Sequence, residues 1–190
     1  MIIGVTGIFG SGKTAVAKLF TKHGYKVINA DEIGHKLLNK KPIKNKIIRE
    51  FGKSILTNEK INRRKLKHIV FNNHKELIKL NKIIHKPIIK EIKSIIKKSK
   101  NKKIIVDGAL LIETRCLNLF DKLIVVKINK KEQLKRILKK KKYNKKEINN
   151  ILKSQLSQKE KLKYADIVVD NSKGLNNTKK QVKEIMQRLK

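Results

Sequence analysis

The sequence has little of several features that mark particular classes of protein. Its 190 residues include one cysteine, Cys116, which excludes an internal disulfide and a cysteine-ligated zinc site. No apolar run approaches the roughly 20 residues that a helix needs to span a bilayer. The opening residues also lack the basic stretch of a secretory signal. We therefore expect a soluble, cytoplasmic, single-domain protein without membrane contact.

Acidic residues are also scarce: 15 aspartates and glutamates stand against 50 lysines and arginines, a formal net charge of +35. A nucleic-acid-binding protein would be basic, but so would a lysine-, isoleucine- and asparagine-rich chain from an AT-rich genome. Only six of the basic residues are arginine, whose planar fork reads phosphate and guanine. Aromatic residues make up 4% of the chain, with no cluster on which bases could stack. We expect no specific nucleic-acid partner, nonspecific attraction to polyanions at low salt, and a monomer or weak homo-oligomer.

Five short runs rich in isoleucine and valine are predicted to be strands, at residues 2–6, 26–29, 103–107, 122–128 and 166–170. Their side chains are apolar in succession, which is typical of strands buried on both faces of a parallel sheet. Helical patterns separate them, at 13–23, at several places between 31 and 98, and at 130–142, 145–164 and 175–189. The alternation predicts a three-layer α/β fold around a five-stranded parallel sheet.

One connection in this pattern is too long for a simple crossover helix. Residues 33–98 follow the second strand, and their mostly helical pattern, punctuated by Pro42 and Pro87, predicts an inserted helical lobe. Residues 133–151 contain a lysine-rich run and are predicted to form a lid. The remaining segments, 1–32, 99–132 and 152–190, are expected to form the core of the same domain.

The most specific motif stands directly after the first predicted strand. Residues 7–14, GIFGSGKT, match the phosphate-binding pattern G-x-x-x-x-G-K-[ST], and an amphipathic helical segment follows. Glycines let the backbone curl so that successive N–H groups point at phosphate oxygens. In this motif Lys13 reaches the β- and γ-phosphates, and the Thr14 hydroxyl ligates Mg²⁺. We therefore predict an ATP and Mg²⁺ site formed by Gly7, Phe9, Gly10, Ser11, Gly12, Lys13, Thr14 and Ala15.

Two aspartates follow predicted strands. Asp31 comes after the second strand, and Asp107 ends the third. Because ligands bind beyond the carboxyl ends of parallel strands, both are expected on the same rim as the phosphate-binding loop. Asp31 is placed to accept the proton of an acceptor hydroxyl, or it caps the following helix. Asp107 either belongs to the Mg²⁺ shell or caps its own turn.

Further segments resemble the dephospho-coenzyme A kinase family. The resemblance extends over nearly the whole chain, and these segments in this order are far more specific than the phosphate-binding loop alone. The matching segments are VINAD at 27–31, NRRKL at 62–66 followed by Val70 and Phe71, LNKIIH at 80–85, DGALLIE at 107–113, Gln155, Lys161, and ADIVVDNS at 165–172.

The resemblance implies a phosphate-loop NTPase fold that transfers the ATP γ-phosphate to the ribose 3′-hydroxyl of dephospho-coenzyme A. This reaction is the last step of coenzyme A synthesis. It implies that Asp31, Lys13 and Arg136 are catalytic, and that Arg136 and Lys140 bind the nucleotide. The implied acceptor-binding residues are Asp31, Arg63, Arg64, His85, Leu110, Leu111 and Glu113.

Several positions depart from the pattern of that family. Asn29 stands where a carboxylate is usual, and Gly108-Ala109 replaces Val-Pro beside the acceptor site. In the predicted lid, Lys140-Lys141 replaces an Arg-Asp pair. Lysine keeps the positive charge but lacks the bidentate fork that arginine offers to phosphate.

The residues themselves leave other interpretations open. Arg63 and Arg64 are also consistent with solvated surface arginines, although the rarity of arginine in this chain favours a phosphate contact. His85 is also consistent with a packed structural histidine, and Leu110 and Leu111 with core positions. One rival function is a different small-molecule phosphate-loop kinase. Another is a basic nucleic-acid-binding protein that uses ATP as a switch.

Overall fold

The computed structural model describes residues 1–100, 102–139 and 141–189. The strands are β1 (Ile2–Thr6), β2 (Lys26–Asn29), β3 (Leu56–Thr57), β4 (Lys60–Ile61), β5 (Ile104–Asp107), β6 (Lys122–Lys127) and β7 (Ile167–Asp170). Five of them form the central parallel sheet in the order β2-β5-β1-β6-β7, and β3 and β4 form a separate antiparallel pair. The predicted fold class and all five sheet strands are confirmed.

Helices cover both faces of the sheet and the long connection after β2. Within the described residues they are α1 (Lys13–Leu19), α2 (Ala30–Leu37), α3 (Lys41–Phe51), α4 (Arg63–Asn72), α5 (His74–Lys98), α6 (Lys130–Lys139), α7 (Lys145–Lys153), α8 (Gln158–Leu162) and α9 (Leu175–Arg188). None of them is both long enough and apolar enough to cross a membrane.

The sheet separates two hydrophobic cores because successive side chains of a strand point to opposite faces. Ile104 and Val106 pack with residues of α2 to α5 on one face. Ile105, between them in the chain, packs with residues of α1 and α9 on the other. Burial of both faces explains why these strands are continuously apolar in sequence.

Two local predictions were wrong, and one element was not predicted. Pro87 lies inside α5 without ending it, and α5 packs against α2, α3 and α4 along its length. The predicted helix at 145–164 is two helices, because Ser157 begins α8 with its own capping box. The β3–β4 pair was not predicted at all, since its turn is formed by Asn58 and Glu59 at positive φ without any glycine.

Candidate active site

The phosphate-binding loop connects β1 to α1 at the carboxyl edge of the sheet. Gly12 precedes α1 with φ of 87°, a left-handed conformation that side chains rarely adopt. A Cβ atom at this position would collide with the Asn171 amide and would lie 3.2 Å from the Arg136 guanidinium. The close approach of these two side chains therefore requires glycine here as much as the backbone angle does.

Three side chains from distant segments hold this loop. Asn171, just after β7, donates from Nδ2 to the Ser11 carbonyl at 2.8 Å. Gln133 donates from Nε2 to the Phe9 carbonyl at 2.7 Å, and the Phe9 N–H donates to Gln155 Oε1 at 3.0 Å. Sequence reasoning gave none of them a role: Gln155 and Asn171 stood only within family-like segments, and Gln133 carried no signal.

Thr14 and Asp107 meet beneath the loop. The Thr14 hydroxyl donates to Asp107 Oδ2 at 2.5 Å, while Asp107 Oδ1 is buried without a protein partner. Burial raises the pKa of Asp107, and the Thr14 hydrogen bond and the Lys13 charge partly oppose that rise. A hydroxyl and a carboxylate with one free oxygen are the hard oxygen donors that Mg²⁺ prefers.

In the part of the chain that the structure describes, no three His, Cys, Asp or Glu side chains gather to enclose a metal. A cation at Thr14 and Asp107 would therefore take further ligands from phosphates and water, as is usual for Mg²⁺ in kinases.

Arg136 lies on α6 beside the loop. Its Nε donates to Glu132 Oε1 at 2.9 Å, and its Nη2 donates to the Asn171 carbonyl at 2.8 Å. These two bonds hold the guanidinium next to Gly12, where a bound phosphate chain would pass. Lys140, the other basic residue predicted for this site, lies outside the described residues.

A cavity of about 460 Å³ opens beside the loop, between α2, α4, α5 and the residues after β5. Its lining includes most of the side chains predicted for catalysis and acceptor binding: Lys13, Asp31, Arg63, His85, Leu110 and Leu111. Arg64, Glu113 and Arg136 lie outside that lining. The lining that α5 contributes is largely apolar and includes Leu77, Leu80, Ile84, Ile88, Ile89 and Ile92.

Asp31 lies in the first turn of α2 with an exposed side chain. The helix cap that sequence reasoning offered as its alternative role is supplied by Asn29, whose Oδ1 accepts from the Glu32 N–H at 3.0 Å. The residue that replaces the usual carboxylate of the family thus caps α2. Asp31 therefore does not act as the cap of α2, and it lines the cavity.

The two arginines of the NRRKL segment are placed differently. Arg63 lines the cavity, and its Nη2 lies 3.0 Å from His35 Nε2. Burial, followed by the Arg63 charge, lowers the pKa of His35. Arg64 is exposed in the first turn of α4, where its backbone N–H donates to Asn62 Oδ1 at 2.9 Å.

Glu113 is held by core contacts behind the cavity wall. Its Oε1 accepts from Lys161 Nζ at 2.6 Å and from the Leu156 N–H at 2.9 Å. His85, which lines the cavity, has a buried Nε2 without a protein partner. Burial lowers the pKa of His85, and the charge of Glu113 only partly opposes this effect. The lowered pKa favours the neutral imidazole. Of the two leucines that line the cavity, Leu111 is buried and Leu110 is only partly buried.

An aromatic cluster joins the loop to the segment between α6 and α7. The Tyr143 ring lies edge-on to Phe9 at 5.1 Å and tilted to Phe71 at 5.9 Å. The Lys67 ammonium lies 4.0 Å from the centre of the Tyr143 ring and donates to the Lys142 carbonyl at 2.7 Å. This cluster was not predicted, because its rings are far apart in sequence and only folding brings them together.

Comparison with known proteins identifies the family of this chain. The family model described as dephospho-CoA kinase matches residues 1–177. A dephospho-CoA kinase of Fusobacterium nucleatum is 41% identical over 188 residues, which cover 98% of this chain and 97% of that protein.

Solved structures share the fold. A dephospho-CoA kinase from Campylobacter jejuni is 30% identical with a TM-score of 0.69, covering 99% of this chain and 96% of that one. A Thermus thermophilus protein superimposes with a TM-score of 0.80 at 22% identity, covering 100% and 98% of the two chains, and supports the fold alone. The match of the family model and the 41% identity over nearly the whole chain show that this protein belongs to the dephospho-CoA kinase family.

Proposed function

We propose that Asp31, Lys13 and Arg136 carry out phosphoryl transfer from ATP to the ribose 3′-hydroxyl of dephospho-CoA, giving coenzyme A and ADP. One observation above all supports the roles of Lys13 and Asp31: both side chains line the same cavity. A phosphate donor on the loop and an acceptor hydroxyl in the cavity would therefore meet between these two side chains.

Asp31 accepts the proton of the acceptor hydroxyl while the hydroxyl oxygen forms a bond to the γ-phosphorus. The bond from that phosphorus to the bridging oxygen breaks, and its electron pair leaves with ADP. Lys13 and Arg136 place positive charge beside the phosphoryl oxygens, where negative charge is spread in the transition state. The anchoring of Arg136 to Glu132 and to the Asn171 carbonyl keeps its guanidinium in place beforehand.

Mg²⁺ fits the pair formed by the Thr14 hydroxyl and the free oxygen of Asp107. When bound, it supplies charge neutralisation and orientation of the β- and γ-phosphates. The protein prepares this site by burying Asp107 and by directing the Thr14 hydroxyl onto its carboxylate.

The acceptor is proposed to lie along the cavity. Arg63 supplies a cation for the diphosphate of dephospho-CoA, and neutral His85 offers a hydrogen-bonding ring nitrogen. The apolar lining from α5 suits the aliphatic arm of that substrate, since burying apolar surface there stabilises the complex by about 25 cal/mol per Å².

The wider organisation is proposed on the same basis. Segments 1–32, 99–132 and 152–190 act as the core, 33–98 as the acceptor-binding lobe and 133–151 as the lid. The net charge of +35 produces nonspecific attraction to polyanions at low salt, without a specific nucleic-acid partner. The protein is proposed to work in the cytoplasm as a monomer or weak homo-oligomer.

The reaction is tested by measuring ADP release with ATP and Mg²⁺, with dephospho-CoA, AMP, shikimate or pantothenate as the acceptor. We expect ADP only with dephospho-CoA, accompanied by coenzyme A in the mass spectrum. ADP formation with another acceptor alone would overturn the proposed substrate.

Asp31→Asn tests the proposed base. We expect turnover to fall roughly 100-fold or more, because a general base contributes that much, with little change in the affinity for ATP. Glu32→Gln, at the exposed neighbouring position, is the matched control and should keep wild-type turnover. Wild-type turnover in Asp31→Asn would remove Asp31 from the mechanism.

A further inference from the structure

Lys161 on α8 is a fully buried lysine behind the wall of the acceptor cavity. Its ammonium donates to the Ala109 carbonyl at 2.9 Å and to Glu113 Oε1 at 2.6 Å. A lysine is almost never buried in this way unless its charge is paired. The two contacts therefore account for its position in the core.

The carbonyl that Lys161 holds belongs to the segment that follows β5. Ala109 lines the cavity, and its carbonyl also accepts from the Thr6 hydroxyl at 3.2 Å. Two residues earlier, Asp107 is tied to Thr14 of the phosphate-binding loop. Thr14 of the loop thus holds the segment at Asp107, and Lys161 holds it at Ala109 and at Glu113.

Burial lowers the pKa of Lys161, Glu113 raises it, and the charge of Lys13 lowers it further. This effect of Lys13 on the pKa of Lys161 places the buried ammonium within electrostatic range of the phosphate-binding loop. Its contacts nevertheless go to the cavity wall, through Ala109 and Glu113.

We propose that Lys161, paired with Glu113, is a positioning residue that fixes the 108–111 wall of the acceptor cavity relative to the phosphate-binding loop. The role rests on the proposed function, and it assigns Glu113 to supporting the wall and not to touching the acceptor. Errors of about 1 Å in such positioning lower rates by as much as 100-fold.

The test separates positioning from simple loss of stability. Lys161→Met alone leaves the Glu113 carboxylate buried and unpaired, which is strongly destabilising. The double variant Lys161→Met/Glu113→Gln removes both charges and keeps an oxygen to accept from the Leu156 N–H. Lys159→Met, an exposed lysine on the same helix, is the matched control.

We expect the double variant to recover most of the melting temperature that the single variant loses. Its kcat/KM for dephospho-CoA should stay ten- to 100-fold below wild type, with the KM for ATP within twofold. Lys159→Met should match wild type throughout. A double variant with wild-type kcat/KM for dephospho-CoA, or with a KM for ATP raised as much as the KM for dephospho-CoA, would overturn the positioning role.

Hydrogen–deuterium exchange gives a readout that does not depend on the reaction. We expect amides at 108–115 to exchange faster in the double variant, with those of α1 unchanged. If the wild-type protein does not phosphorylate dephospho-CoA, the proposed function is wrong, and the exchange measurement then tests the role of Lys161 independently. Unchanged exchange at 108–115 would overturn it.

Discussion

Replacing Asn171 with leucine removes one of the ties that hold the phosphate-binding loop and keeps a side chain of similar size. Asn171 is 5% exposed, donates to the Ser11 carbonyl at 2.8 Å and accepts from the Thr178 hydroxyl at 2.7 Å. Its backbone carbonyl, which binds Arg136, is unchanged by the substitution. The variant therefore tests the side-chain bonds alone.

The two lost bonds differ in what they leave behind. The Thr178 hydroxyl keeps its bond to the Gly174 carbonyl at 3.0 Å, whereas the Ser11 carbonyl loses the donor that Asn171 supplied. A buried polar group deprived of its partner costs about 1–3 kcal/mol. With the weaker loss at Thr178 added, we expect the free energy of unfolding to fall by about 2–4 kcal/mol.

Urea denaturation measures the free energy of unfolding, and titration with a non-hydrolysable ATP analogue measures the affinity of the loop. We expect affinity to fall about tenfold, equivalent to 1.4 kcal/mol, because part of the binding energy must reorder the loop. Asn176→Ala, at an exposed position in α9, is the control. A free energy within about 0.5 kcal/mol of wild type, together with unchanged affinity, would refute the reasoning.

Two further predictions follow from buried titratable groups. Burial raises the pKa of Asp107, so the folded state loses stability as pH rises through that pKa. Asp107→Asn should therefore melt higher than wild type at pH 7.5 yet turn over far more slowly with Mg²⁺-ATP; a lower melting temperature with normal turnover would contradict this. Burial lowers the pKa of His85, so the unfolded state binds more protons below about pH 6.5, and the free energy of unfolding decreases as the pH is lowered. His85→Gln should lose less unfolding free energy between pH 7.5 and 5.5 than wild type or the exposed control His68→Gln, and an equal loss would count against the prediction.

Some features were predictable from the sequence because neighbours in the chain determine them. The strands are continuous apolar runs, and burial on both faces of a parallel sheet requires this pattern. The phosphate-binding loop is a motif of eight consecutive residues, and its glycines meet a local backbone requirement. Local rules failed at Pro87, where α5 continues because its packing against α2, α3 and α4 outweighs the lost backbone bond.

Other features were decided only when distant segments packed together. Asn171 reaches Ser11 across 160 positions of the chain, and Lys161 reaches Glu113 across 48. Asn29, and not Asp31, caps α2, and Asp31 lines the cavity. The sequence by itself determined the strands, the sheet class and the phosphate-binding loop. The supports of that loop and the wall of the cavity depend on tertiary structure, because hydrogen bonds between distant residues form only where packing brings donor and acceptor together.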